Sequence, residues 1–411
     1  MPCGRLIALG LVMSISSKSF LRDHPQDFSL VLGGPVFQLL RRLHLSDKTL
    51  GLARQRIIAL SLFCWLPLLI LSAVEGNALG GSAAVPFLLD VEVYTRFLLA
   101  TPLLVSAEVI VHRRMRFVVK QFLERNLIPE HAMTRFDAAI ASAFRLRDSV
   151  LAEVLLFVFV YVVGILIIWR YYIAIDATTW YATVSNGTAK ITLAGIWFGY
   201  LSLPIFQFLL CRWYFRIFIW TRFLWHVSRI DLSLVPTHPD RVGGLGFFSD
   251  TVYAFIPLLL AHGALLAGVL GNRIYHLGAK LPDFMLEILV LFIFLMCVVL
   301  GPLLVFAPQL GHAKRAGIRD YGTLAERYVR EFDSKWLRDG APDEQLMGSG
   351  DIQSLADLSN SFEVVWTMRI VPFTKEAIIT LAAATVAPIA PLLLTMMPME
   401  ELIKKLLGIL F

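Results

Sequence analysis

Charge is what this chain has least of. Only 17% of its residues are Asp, Glu, Lys or Arg, against about 25% in an average soluble domain. With 57% of the 411 residues hydrophobic, a fully solvated globular surface is excluded for most of the chain. Cysteine is also sparse. Cys3, Cys64, Cys211 and Cys297 show no CxxC or Cys/His spacing, which excludes a zinc ribbon or disulfide scaffold and leaves buried thiols. No Walker A string and no dinucleotide fingerprint occurs, so neither phosphate-loop nor Rossmann chemistry has a basis here. No segments of about ten residues alternate in polarity, as β-barrel strands would. No repeat relates the first three apolar runs to the last four, which removes the signature of repeat-built transporters. No metal and no cofactor is expected.

What the chain does have is apolar length. Runs near 20 residues, enough to cross about 30 Å of hydrocarbon as a helix, fall at 57–74, 97–111, 150–169, 191–211, 251–270, 285–308 and 377–397. The expected fold class is all-α: a polytopic helical membrane protein with seven predicted transmembrane helices. A single membrane domain, 51–411, follows an amino-terminal arm, 1–50.

The net charge of +6 then speaks of orientation and not of nucleic acid. Thirty of the 37 Lys and Arg residues lie in 1–56, 112–149, 212–250 and 309–376, and the other seven lie in the alternate connections. Because basic loops stay in the cytoplasm, the amino terminus is predicted inside and the carboxyl terminus outside. The lipid bilayer is the first partner.

The basic connections carry helical patterning at 117–149, 212–250 and 311–375. Met133, Phe136, Ile140 and Phe144 recur at helical spacing, and their helix is predicted to run unbroken into the third span. Ile318, Tyr321, Leu324, Tyr328 and Phe332 mark a second amphipathic helix. Asp351 is placed as the N-cap of a third, whose face carries Ile352, Leu355, Leu358 and Phe362. These stripes either pack on one another and on the inner leaflet or offer a docking face for a cytoplasmic protein. Residues 13–50 read as a polar, poorly ordered arm with a short amphipathic stretch near 36–43. "GRLIALGLVM" lacks a cleavage site, so Met13 is preferred as the natural start over a signal sequence.

Ionisable residues inside spans are functional candidates by default, because an unpaired charge in hydrocarbon is expensive. Glu108 and Glu153 lie near the cytoplasmic ends of the second and third spans. Arg212 and Arg216, four residues apart, share one face where the fourth span leaves the membrane. Together they either line a cavity facing the cytoplasm or form a structural ion-pair network. The loop "LVPTHPDRVGGLGFF" holds His238 and Asp240, an acid/base or metal-ligand pair in principle. Its Gly243, Gly244 and Gly246 permit close backbone approach to a phosphate. The competing reading is a tight re-entry turn capped by Asp240.

"LVPTHPDRVGGLGFF", "GSGDIQSLADLSNSFEVVWTMRIVPF", "FLLDVEVYTRFLLATPLLVSAE" and "EFDSKW" resemble a family of bacterial multi-pass membrane proteins to which no activity attaches. The resemblance covers most of the chain from about residue 50 onward and implies a bacterial inner membrane. It carries over no site residue. Transport or conduction of a small solute or ion is the leading expectation. A membrane enzyme acting on a lipid or phosphate ester, and a scaffold or sensor docking a cytoplasmic partner, stand beside it. Oligomeric state does not follow from the sequence.

Overall fold

The computed structural model describes residues 28–42, 52–80, 83–169, 179–185, 188–338 and 345–396. Helices dominate. In chain order they are α1 (Pro35–Arg42), α2 (Ala53–Val74), α3 (Val91–Glu124), α4 (Met133–Arg147) and α5 (150–169). After a short hairpin come α6 (Leu193–Val227), α7 (Phe247–Leu277), α8 (Leu281–Arg338), α9 (Gly350–Trp366) and α10 (Lys375–Met396). Six of them, α2, α3, α6, α7, α8 and α10, are long and apolar enough to cross a membrane. Within α5 the stretch Val150–Gly164 is apolar but shorter. The protein is thus a polytopic helical membrane protein.

Prolines accompany much of the irregular winding of these helices, though not the π stretch of α5. Pro lacks an N–H and its ring crowds the carbonyl four residues back, so the preceding turn can widen or tighten. Pro102 follows a π-helical turn at Thr95–Ala100, and Pro204 follows another at Phe198–Ser202. Pro257 follows a 3₁₀ turn at Val252–Phe255, while Pro302 and Pro391 lie inside 3₁₀ stretches. Pro67 in α2 brings no such switch.

One end of the bundle is closed by aromatic packing. Phe122 of α3 meets Phe136 of α4, Phe247 and Phe248 of α7, and Phe306 of α8 at centroid distances of 5.4–6.4 Å. The opposite end carries the hairpin β1 (Ala182–Ser185) and β2 (Thr188–Ile191), with Ala182 opposite Ile191. Asn186 and Gly187, between the two strands, lie outside the described residues. Trp180, just before the hairpin, donates its indole N–H to Asp90 at 2.7 Å, and Asn272 of α7 donates to the same carboxylate at 2.7 Å. Asp90 also caps the first turn of α3.

α8 has 58 residues, which at about 1.5 Å per residue makes it roughly 85 Å long, far more than a bilayer core of about 30 Å. Its last third therefore leaves the membrane and pairs with α9. Three side chains of α8 converge on the start of α9: Lys335 and Trp336 donate to the Asp351 carboxylate at 2.7 and 3.0 Å, and Tyr328 to the Asp351 carbonyl at 3.1 Å. Lys335 and then Trp336 hold the Asp351 carboxyl below the ordinary aspartate range.

Three local expectations change. Asp351 is not the N-cap of α9: Ser349 occupies that position, and Asp351 is drawn sideways to α8. α4 does not run into α5, because Ser149 takes an extended backbone and caps α5 through the N–H of Ala152. The arm is not polar and loose throughout, since Phe28, Leu30 and Val31 belong to the core.

Candidate functional site

Glu108, Glu153, Arg212 and Arg216 converge. Glu108 stands one turn before His112 on α3, and its carboxylate is buried between two guanidiniums. Arg216 of α6 donates to it at 2.7 Å, and Arg56 of α2 binds the other oxygen. Arg212, one turn before Arg216, lies 3.7 Å from Glu153 at the start of α5. All five side chains are at least nine-tenths buried. Three spanning helices and α5 are therefore tied at one level by a layer of charge.

The layer is roofed by residues 28–36, which form a strap across it. Phe28 stacks between Phe144 of α4 and Phe223 of α6 at 5.5 and 5.2 Å. Ser29 Oγ accepts the N–H groups of Val31 and Leu32 and lies 2.8 Å from His112 Nδ1. Arg147 donates to the Ser29 carbonyl at 2.6 Å. Gly33 and Gly34 then take positive φ values of 144° and 83°, conformations that a side chain would strain. That turn delivers the N–H of Gly34 to Asp148 at 2.9 Å and the N–H of Val36 to Glu153 at 2.7 Å. Glu153 thus serves the free N–H groups at the start of α1, where a negative charge is favourable.

On the other side of the layer, within the apolar part of the bundle, lies a half-open chamber of about 380 Å³. Its walls come from α3 (Arg96), α5 (Val160, Val163, Gly164), α6 (Gln207, Cys211) and α7 (Leu265, Val269). Arg96 is paired with Glu92 one turn earlier and covered by Phe198 and Phe206. Gln207 Oε1 packs on Gly164 and accepts no hydrogen bond. π-helical winding concentrates here. Arg96 lies in the π turn of α3, Val160 to Gly164 in that of α5, and the π turn of α6 ends at Ser202, just before the lining residue Leu203. Such stretches recur at functional sites because the widened turn loosens the regular hydrogen-bond ladder. Cys211 lines the chamber and its neighbour Arg212 belongs to the charged layer, so the two features are stacked along α6.

The His238–Asp240 loop does not join them. Asp240 accepts N–H groups from Val242 at 2.8 Å, Gly244 at 3.2 Å and Gly246 at 2.8 Å. Its carboxylate fills the backbone nest that a phosphate would need. Gly243 and Gly244 have positive φ, and a side chain on Gly246 would run into Asp240 itself. His238 Nδ1 accepts the Asp240 N–H at 3.2 Å. Arg369 clamps the loop through the Asp240 and Phe373 carbonyls, both at 3.1 Å. Asp240→Ala is expected to cost about 1–3 kcal/mol for the donors it orphans, with Asp240→Asn costing less. Hydrogen exchange at Val242, Gly244 and Gly246 checks this; unchanged protection in Asp240→Ala would refute the capping role.

Among the described residues no three of His, Cys, Asp and Glu gather as a metal group. His262 is spent on Tyr214 at 2.6 Å and on the Leu258 carbonyl at 2.7 Å. Sequence reasoning missed Arg56 and the strap. By sequence Arg56 is one of the charges flanking the first span, whereas in the structure it lies one helical turn into α2.

The class these features define is a polytopic membrane protein with a roofed layer of buried guanidiniums and carboxylates. Comparison with protein-family models, with curated proteins and with solved structures finds no match.

Proposed function

We propose that the protein moves a small solute or ion across a bacterial inner membrane. It does so with seven spans, α5 included, and with its amino terminus on the cytoplasmic side. The chamber stacked on the charged layer carries this reading. A cavity of about 380 Å³ lies within the usual range for small-ligand sites, about 300–1,000 Å³. It sits where a solute would pause inside the bilayer, and the strap and charged layer form the closed door on the basic, cytoplasmic side. The π-helical turns around it supply the weak points at which helices can bend. Against the enzyme reading stands the loop chemistry: His238 and Asp240 are engaged with the loop's own backbone.

The test is flux into vesicles reconstituted with the full chain, using potassium, sodium, protons, chloride and glycerol as probes. At least one is expected to cross faster than in protein-free vesicles. Gly164→Phe, which pushes a ring into the chamber, is expected to abolish that flux while the protein still reconstitutes. If no probe moves faster, or if Gly164→Phe leaves flux intact, the reading fails.

A further inference from the structure

The charged layer contains one guanidinium too many. Arg56, Arg212 and Arg216 face Glu108 and Glu153, three positive groups against two negative. Arg147 is matched by Asp148 through two contacts at 2.8 and 2.6 Å. Glu108 is shared by Arg56 and Arg216. Glu153 spends one oxygen on the strap and reaches Arg212 only at 3.7 Å. A buried charge without a counter-charge is costly, and the weakest match is Arg212, 7% exposed, whose only carboxylate neighbour within ion-pair distance among the described residues is Glu153 at 3.7 Å.

A small, partly open cavity of about 10 Å³ lies against the layer, close to the space one water-sized sphere needs. Arg147, Arg212, Arg216 and Glu153 line it, with Leu30 and Gly33 of the strap. Three guanidiniums around so small a space present only N–H donors apart from one carboxylate.

We propose that this cavity binds one small monovalent anion of the halide class. A water molecule would fill the space but leave the surplus charge unmatched. Sulfate or phosphate would overfill it and reverse the charge. A halide matches both, and the loose Arg212–Glu153 separation provides the room it needs beyond a water. The site goes beyond the transport reading, because it would exist in a protein that moves nothing.

The experiment is equilibrium binding of radiolabelled chloride to the purified full-length protein in detergent, with gluconate as the balancing anion. Saturable binding of one chloride per chain is expected, displaced by bromide and not by sulfate. Arg212→Gln is expected to weaken it about tenfold or more, the effect of removing one partner of a buried charge contact. Arg212→Lys should retain most of it, which separates charge from folding. Glu153→Gln removes the competing carboxylate and is expected to tighten chloride binding, the reverse of what a purely structural role would give. Absence of saturable binding to well-folded protein, or equal binding by wild type and Arg212→Gln, would overturn the proposal and leave the cavity to water. Chloride binding without any vesicle flux would overturn the transport reading alone.

Discussion

Glu108→Gln is expected to destabilise the protein by about 3–5 kcal/mol, the usual result of removing one partner from a buried ion pair. The carboxylate is the common acceptor of Arg56 and Arg216 and is 2% exposed. An amide in its place offers one acceptor oxygen, and its NH₂ group turns donors toward a guanidinium. Two guanidiniums then stay buried with no negative charge between them, and neither can reach water without dragging α2 or α6 along. Denaturant or thermal unfolding in a fixed detergent measures the loss. Arg56→Met in the same chain is expected to restore part of it, because the second change removes one of the stranded charges. A Glu108→Gln protein as stable as wild type would show that the layer is hydrated, contrary to its burial here. The geometry thus makes stability, before any flux, the first casualty of this substitution.

Phe28→Ala carries the second large effect, and it acts on the strap. Phe28 is fully buried between two rings, and truncating a buried Phe costs about 3–5 kcal/mol. The rest of the strap is held by one ordered serine, two glycines in left-handed conformations and N–H groups laid on two carboxylates. The cost therefore falls on seating the strap and not on the helical bundle. About 3 kcal/mol is roughly a hundredfold in the ratio of open to closed. Exchange protection of the Gly34 and Val36 amides should fall accordingly, and a cysteine placed at Ser29 should become reactive to a soluble thiol reagent. If the proposed door is real, vesicle flux rises in the same variant. Unchanged protection at those amides would mean that the strap is held by something other than Phe28.

Much of the architecture was legible because membranes leave a chain few options. Backbone polar groups in hydrocarbon must bond within their own segment, so apolar length translates almost directly into helix. Where the backbone departs from regular α winding was not legible in the same way: Pro67 leaves α2 regular, while the π stretch of α5 contains no proline. Glu108, Glu153, Arg212 and Arg216 could be placed at one depth from their distance to the span ends. Their meeting in one layer was an open choice until side-chain directions were known.

The opening glycines of "GGLG" and the neighbouring Asp240 show the limit from the other side. Residue types suited to a phosphate loop are equally suited to a carboxylate that binds its own loop, and only hydrogen-bond geometry separates the two. Arg56 escaped notice because a cation beside a span ordinarily serves orientation. Phe28 escaped because the polar residues around it averaged its signal away. α9 was found from its stripe, but its cap was misassigned, since the donors that capture Asp351 lie on another helix.

The sequence by itself determined that this is a helical membrane protein, where most of its spans run, and which charges stand near one end of them. Solvation dictates all three, and solvation is a property of each segment taken alone. Only the tertiary structure decided that Glu108 is shared by two arginines, that residues 28–36 roof the layer, and that the His238–Asp240 loop is closed on itself. Those outcomes depend on contacts between segments far apart in the chain, where a few ångströms decide whether a charge is paired, stranded or open to a ligand.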